Sequence, residues 1–109
     1  MLVKDIAEKL QAEIVNPGHH LNREIKGCYI GDLLSWVMSN AQEDDIWITI
    51  MSNVNVVAVA TLTDVACVLL CENVDPDDNC LKRANEQGIS ILKTKLTAYE
   101  AAVKIGNLL

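Results

Sequence analysis

Four cysteines, at positions 28, 67, 71 and 80, are the side chains with the widest chemical reach in this sequence. Thiolates hold zinc or iron–sulfur clusters at C-x-x-C spacings, and no such pair occurs. Cys67 and Cys71 stand i, i+4 on one expected strand and so point to the same face. Packing as small buried hydrophobes suits all four cysteines better than ligation. His19-His20 sits in a polar stretch with no cysteine or third histidine close by in sequence, which does not suit a metal. Asp44-Asp45 and Asp77-Asp78 are paired carboxylates, the arrangement that general acid–base chemistry uses. The first pair reads as part of the solvated connector Glu43-Asp44-Asp45, the second as a helix start. No nucleophile elbow, Walker A segment or His-Glu-x-x-His is present. No acid, base or nucleophile converges on anything, so neither catalysis nor a metal or cofactor is expected.

Binding has better candidates. Ser52, Asn53, Asn55 and Asn73 offer neutral donors and acceptors, and Lys93 and Lys95 offer positive charge. They matter if they gather at the carboxyl ends of parallel strands, where α/β sheets hold ligands near a switch point. The competing reading is that Asn53, Asp32 and Thr97 cap helices and the remainder is solvated loop.

The elements that would position these residues follow from periodicity. Val3, Ile6, Ala7 and Leu10 recur at helical spacing, so residues 3–11 form an amphipathic helix. A short strand at Glu13-Ile14-Val15 ends in the Asn16-Pro17-Gly18 turn, and His19 to Asn22 is polar loop. Ile25 to Ile30 reads as a strand, and Asp32 as the N-cap of a helix reaching Asn40. Ile46 to Ile50 is β-branched and extended. Val54 to Leu62 is ambiguous by pattern: its valines favour strand, while Asn53 as N-cap favours helix. Ala66 to Cys71 is apolar on both faces, as a covered central strand must be.

Asp75 as N-cap and Pro76 at N1 start the next helix, which Gly88 ends. Ile89 to Leu92 is a strand. The capping box Thr97-Ala98-Tyr99-Glu100 opens a last helix to Ile105, before Gly106. From residue 25 onward the order is β-α-β-(α)-β-α-β-α. Such alternation demands an α/β fold of three layers, a mainly parallel sheet of about five strands with helices on both faces.

Bulk composition agrees with one domain over residues 1–109. Nine Lys+Arg against 15 Asp+Glu give a net charge of −6, and no basic cluster exceeds a pair, which excludes a nucleic-acid stripe. The longest apolar run, Val65 to Cys71, is far too short for a membrane span. The amino terminus has no signal-peptide core, so a cytoplasmic protein with reduced thiols is expected.

Aromatic residues are scarce: Trp36, Trp47, Tyr29, Tyr99 and no Phe. Trp47, Tyr29 and Tyr99 fit the elements that hold them. On the helix 32–40, Leu33, Leu34, Val37 and Met38 form the core stripe, and Trp36 falls more than a right angle from its centre. A large ring there is either an exposed edge or a contact for another chain.

The ordered pattern resembles the DRTGG domain family, in particular its small stand-alone members, over roughly residues 1–108. It is carried by Arg23 to Ser35, Trp47-Ile48-Thr49-Ile50, Asn55 to Ala60, Asp75-Pro76, Ala84, Gly88 to Leu92, and Thr97 to Ala101. The resemblance implies a fold similar to the amino-terminal domain of HPr kinase/phosphorylase. Such domains accompany CBS domains in pyrophosphatases and precede phosphotransacetylase catalytic domains, where they are regulatory and pair at subunit interfaces. It also places Val54–Leu62 on a helix between two parallel strands.

The family's Asp-Arg falls here on Asn53-Val54 or its neighbours, and its Thr-Gly-Gly on Cys71-Glu72-Asn73. Losing the Arg removes a bidentate anion donor, and losing the glycines removes close backbone approach to a phosphate. The expected function is a non-enzymatic regulatory or protein-interaction module, a homodimer whose interface includes Trp36. The alternative is a sensor of a nucleotide or phosphorylated metabolite on the Ser52, Asn53, Asn55, Asn73, Lys93, Lys95 rim.

Overall fold

A computed structural model describes all 109 residues. There are five helices and five strands, alternating from β2 onward: α1 (Val3–Lys9), β1 (Glu13–Asn16), β2 (Gly27–Ile30), α2 (Leu34–Asn40), β3 (Asp45–Thr49), α3 (Val54–Thr63), β4 (Cys67–Leu70), α4 (Asp78–Gln87), β5 (Ile91–Lys93) and α5 (Ala98–Leu108). The strands form one sheet in the order β1-β5-β4-β3-β2. β2 to β5 are parallel neighbours in chain order, and β1 joins β5 antiparallel at the edge. No helix is long and apolar enough to cross a membrane.

Consecutive crossovers of one hand put their helices on one face, and the core divides accordingly. Val37 of α2, Val56 and Val57 of α3, and Cys80 and Ala84 of α4 pack with Trp47 and Val68 on one side of the sheet. Val3 and Ile6 of α1 and Ala101 and Ile105 of α5 pack with Ile46, Ile48, Leu69 and Leu92 on the other. β3 and β4 are buried along their whole length, because both faces are covered.

Several expectations are corrected by what the side chains touch. Asp32 caps no helix. Its carboxylate accepts from the Thr49 hydroxyl (2.8 Å) and the Ile50 amide (2.9 Å), and α2 has Leu33 at its N-cap position and no side-chain cap. Asp77, not Asp75, caps α4 by accepting from the Cys80 amide at 2.8 Å. α5 runs through Gly106 to Leu108, since nothing interrupts its ladder there. Tyr99 does not fit its helix as a core residue: it is 77% exposed. The α2 stripe is half bare as well, with Val37 buried and Leu33 and Met38 exposed. Cys67, Cys71 and Cys80 are buried but Cys28 is not, and Cys80 lies on the opposite face of the sheet from the other two.

The acidic connector 43–45 is fully solvated only at Glu43. Asp45 opens β3 as a buried residue, its carboxylate accepting from the Gln42 amide at 2.8 Å. Asp44 accepts from Arg23 Nε at 2.6 Å, and the same guanidinium reaches Asp64 Oδ1 at 2.9 Å and the Asp64 carbonyl at 2.6 Å. This clasp holds the 17–26 segment beneath the amino-terminal ends of the parallel strands. Further along, the segment is stitched to the strand-β5 approach: Asn16 Nδ2 donates to the Ile89 carbonyl (2.8 Å) and the His19 amide to the Gly88 carbonyl (2.9 Å). The approach is so close that a Cβ on Gly18 would come 2.5 Å from the Gly88 carbonyl oxygen.

Within the clasp, burial and then the Arg23 charge hold the His20 imidazole below its ordinary value of 6.5, against a pull from Asp64. Its Nδ1 is buried without a partner. The unfolded chain therefore binds a proton that the folded chain resists, so stability is full above pH 6.5 and declines as the pH falls below it. The hydrogen bond from Arg23 lowers the Asp44 carboxyl, and the Thr97 backbone lowers that of Glu100. Their contributions exist above the ordinary carboxylate range and vanish as acid protonates them. The urea midpoint should thus fall in two steps, one as the pH drops below the ordinary histidine value of 6.5 and another in the carboxylate range. His20→Gln should abolish the first step alone, and a flat profile across that step in the parent protein would contradict the assignment.

Candidate functional site

The connections leaving the sheet change face at β5. α4 enters β5 from one side and α5 leaves for the other, so the crevice of an open α/β sheet falls between the ends of β4 and β5. Loops 71–77 and 94–97 meet there. Glu72 and Asn73 both take the left-handed conformation, with φ of 56° and 61°. Glycine adopts it freely, whereas residues with a Cβ do so at a cost. The positions where the resemblance puts Gly-Gly thus keep a glycine-like backbone without glycine. Their amides are spoken for: Glu72 N–H donates to the Leu96 carbonyl and Asn73 N–H to the Thr94 carbonyl, each at 2.8 Å.

Beside this seam lies a groove of about 410 Å³ lined by Gln11, Glu13, Asn73, Lys93, Lys95 and Lys104, among others. Three of the six rim residues singled out by sequence, Asn73, Lys93 and Lys95, are brought together here. Lys93 is largely enclosed, its side chain 15% exposed, and its ammonium pairs with the exposed Asp75 carboxylate at 2.5 Å. Lys95 and Lys104 have no carboxylate within 4.0 Å. Sequence reasoning missed Lys104 and Gln11, which reach the groove from α5 and from the end of α1.

The other three rim residues lie elsewhere. Ser52 accepts from the Asp77 amide at 3.0 Å through its carbonyl. Asn53 caps α3, its side chain accepting from the Asn55 amide at 2.9 Å. Asn55 lines a separate groove of about 360 Å³ between α3 and α4, with Leu62 and Arg83.

Trp36 stands 64% exposed on the outer surface of α2. Leu33 and Met38 are exposed on the same short helix, and α3 beside it exposes Val54, Ala58, Thr61 and Leu62. Residues 33–42 and 46–63 contain no Asp, Glu, Lys or Arg. The outer surface of α2 and α3 is therefore uncharged as well as partly apolar. Those two charge-free runs were legible in the sequence, but only the fold shows that they share a face.

Three of the four thiols are buried. Burial, then the Asp77 carboxylate, push Cys80 up to about 11, whereas Cys28 lies exposed on the edge strand β2, where partial desolvation and then the Asp45 carboxylate beside it raise its thiol. Cys67 and Cys71 are raised in the same direction by burial. A thiol raised in this way stays protonated at neutral pH.

Comparison with known proteins agrees with this architecture. The DRTGG domain family matches residues 5–108. No curated protein matches. A similar solved structure is that of the CBS and DRTGG domains of the regulatory region of Clostridium perfringens pyrophosphatase, complexed with the activator diadenosine tetraphosphate. At 16% identity and a TM-score of 0.72 the likeness covers 93% of this chain and 44% of that one, and it establishes a shared fold. With nearly its whole length matched by the family pattern, the chain belongs to the DRTGG domain family.

Proposed function

We propose that this chain is a non-enzymatic regulatory module that acts as a homodimer through the outer surface of α2 and α3, with Trp36 at its centre. The single observation that carries the reading is the absence of charge from that surface. A solvated face ordinarily carries about 25–35% charged residues. Interface cores are depleted of charge and enriched in aromatic residues and Met. The partner that fits is a second copy. Two chains of net charge −6 repel one another, and this face lets them meet without opposing their acids. A basic partner would instead call for acids on that face, and there are none. Sedimentation equilibrium at micromolar concentration is the test. A species of twice 12.0 kDa is expected, and a clean monomer of 12.0 kDa would end the reading.

A second reading, a sensor of a nucleotide or phosphorylated metabolite, is favoured by the three lysines that converge beside the end of β5. The related regulatory region from C. perfringens was solved with a polyphosphate-bearing nucleotide activator, which lends it weight. Thermal shift against adenine nucleotides and phosphorylated metabolites discriminates, since a ligand at a hundred times its Kd adds about 2.7 kcal/mol.

A further inference from the structure

The geometry points to a phosphoryl-dianion site in the groove formed by Lys93, Lys95 and Lys104, in which the ligand displaces Asp75 from Lys93; the inference rests on the sensing reading. Three of the chain's nine basic residues face one concavity in a protein of net charge −6. Only one carboxylate, that of Glu13, belongs to the lining. Once Asp75 is displaced, three ammonium groups less the Glu13 carboxylate leave a formal charge of +2, which a phosphate monoester or pyrophosphate oxygen cluster offsets and a single carboxylate does not. Asp75 and Glu13 offset only part of the gathered positive charge, and an anion at the centre offsets the rest.

The groove is also larger than a bare phosphate requires, within the range of small-molecule sites. Asn73 and Gln11 contribute amide groups suited to hydroxyls of an attached sugar. The Lys93–Asp75 pair gives the site its particular behaviour. Lys93 is anchored and enclosed, whereas the Asp75 side chain is 73% exposed. An exposed carboxylate is a weak partner and is readily exchanged. A phosphoryl group entering the groove takes the ammonium, and Asp75 is released with its loop. That loop continues to Asp77, whose amide bonds to the Ser52 carbonyl at 3.0 Å, just ahead of α3. Occupancy of the groove is thereby connected by consecutive contacts to the helix that bears the uncharged face.

The test is an NMR titration of the full chain with inorganic pyrophosphate at constant ionic strength, repeated with adenosine triphosphate. Saturable shifts confined to residues 73–75, 93–96 and the Lys104 turn are expected with both. Tighter binding of the triphosphate would assign the remaining volume to a nucleoside; equal binding would assign the site to the phosphates alone. Lys95→Ala/Lys104→Ala, both at exposed positions, should weaken binding at least tenfold. Asp75→Asn removes the competitor and should strengthen it several-fold, a change that general surface attraction does not produce. Saturable shifts located elsewhere would overturn this site and leave the sensing reading standing. No saturable shift with either anion would overturn both.

Discussion

Trp47→Ala should lower the free energy of unfolding by about 3–5 kcal/mol, the largest effect of any single truncation considered. The ring is fully buried on the α2–α3–α4 side of the sheet, where it is the largest enclosed side chain. The aromatic beside it, Tyr29, is its cross-strand partner on β2 and is held there by the sheet register. The ring also does polar work, since its Nε1–H donates to the Gly31 carbonyl at 2.9 Å. That bond fixes the turn after β2, which carries Asp32 to Thr49 and the Ile50 amide. Trp47→Phe keeps much of the volume but leaves the Gly31 carbonyl without its partner, for an expected loss of about 1–3 kcal/mol. Typical domains have about 5–15 kcal/mol in total, so the alanine variant approaches the threshold of folding. Urea denaturation followed by far-ultraviolet circular dichroism measures both. A loss below about 1 kcal/mol for the alanine variant would mean that the site collapses around the missing ring.

Trp36→Asp should have the opposite profile, with little change in the monomer and a large change in assembly. The side chain is mostly exposed in the single chain, and substitutions at such sites usually alter stability by no more than about 0.5 kcal/mol. At the centre of an interface the same residue is a typical hot spot, contributing about 2 kcal/mol or more. That corresponds to a dimer Kd raised roughly 30-fold or more. Aspartate adds repulsion, because it puts one further negative charge on each of two already acidic chains. Sedimentation across a micromolar series reads the dissociation, and an unchanged thermal melt at low concentration shows that the fold survives. Tyr99→Ala is the control, since this still more exposed ring stands on α5, away from α2 and α3. Dissociation by the Tyr99 variant and not by the Trp36 variant would move the interface to α5.

These two tryptophans show how far the sequence reaches. Trp36 lies off the apolar stripe of its helix, and that angular displacement is a local property which survives folding unchanged. Tyr99 has no comparable local signature. Its exposure follows from only α1 and α5 covering that side of the sheet, which leaves the outer surface of α5 without a further layer. Leu33 and Met38 fall within the predicted stripe of α2 yet remain exposed for the same kind of reason. A helical stripe is buried only as far as neighbouring elements extend to meet it.

Caps divide along the same line. Asn53 and the Thr97–Glu100 box bond to amides two or three residues away, and sequence alone identifies them. Asp75 and Asp77 are both good caps by composition. In the fold Asp75 turns to Lys93, 18 residues further on, while Asp77 caps the helix. Asp32 is likewise drawn away from its own helix by Thr49.

By itself, the sequence determined the alternation of helix and strand and the doubly covered central strands. Each of these is encoded in spacings of a few residues. The tertiary structure alone decided the strand order, with its change of face at β5. It also decided the meeting of Asn73, Lys93, Lys95 and Lys104 around one groove and the merging of two uncharged segments into one surface. Such features depend on which distant strands pair and which helices flank them, and those choices are made by burial across the whole sheet rather than by any local pattern.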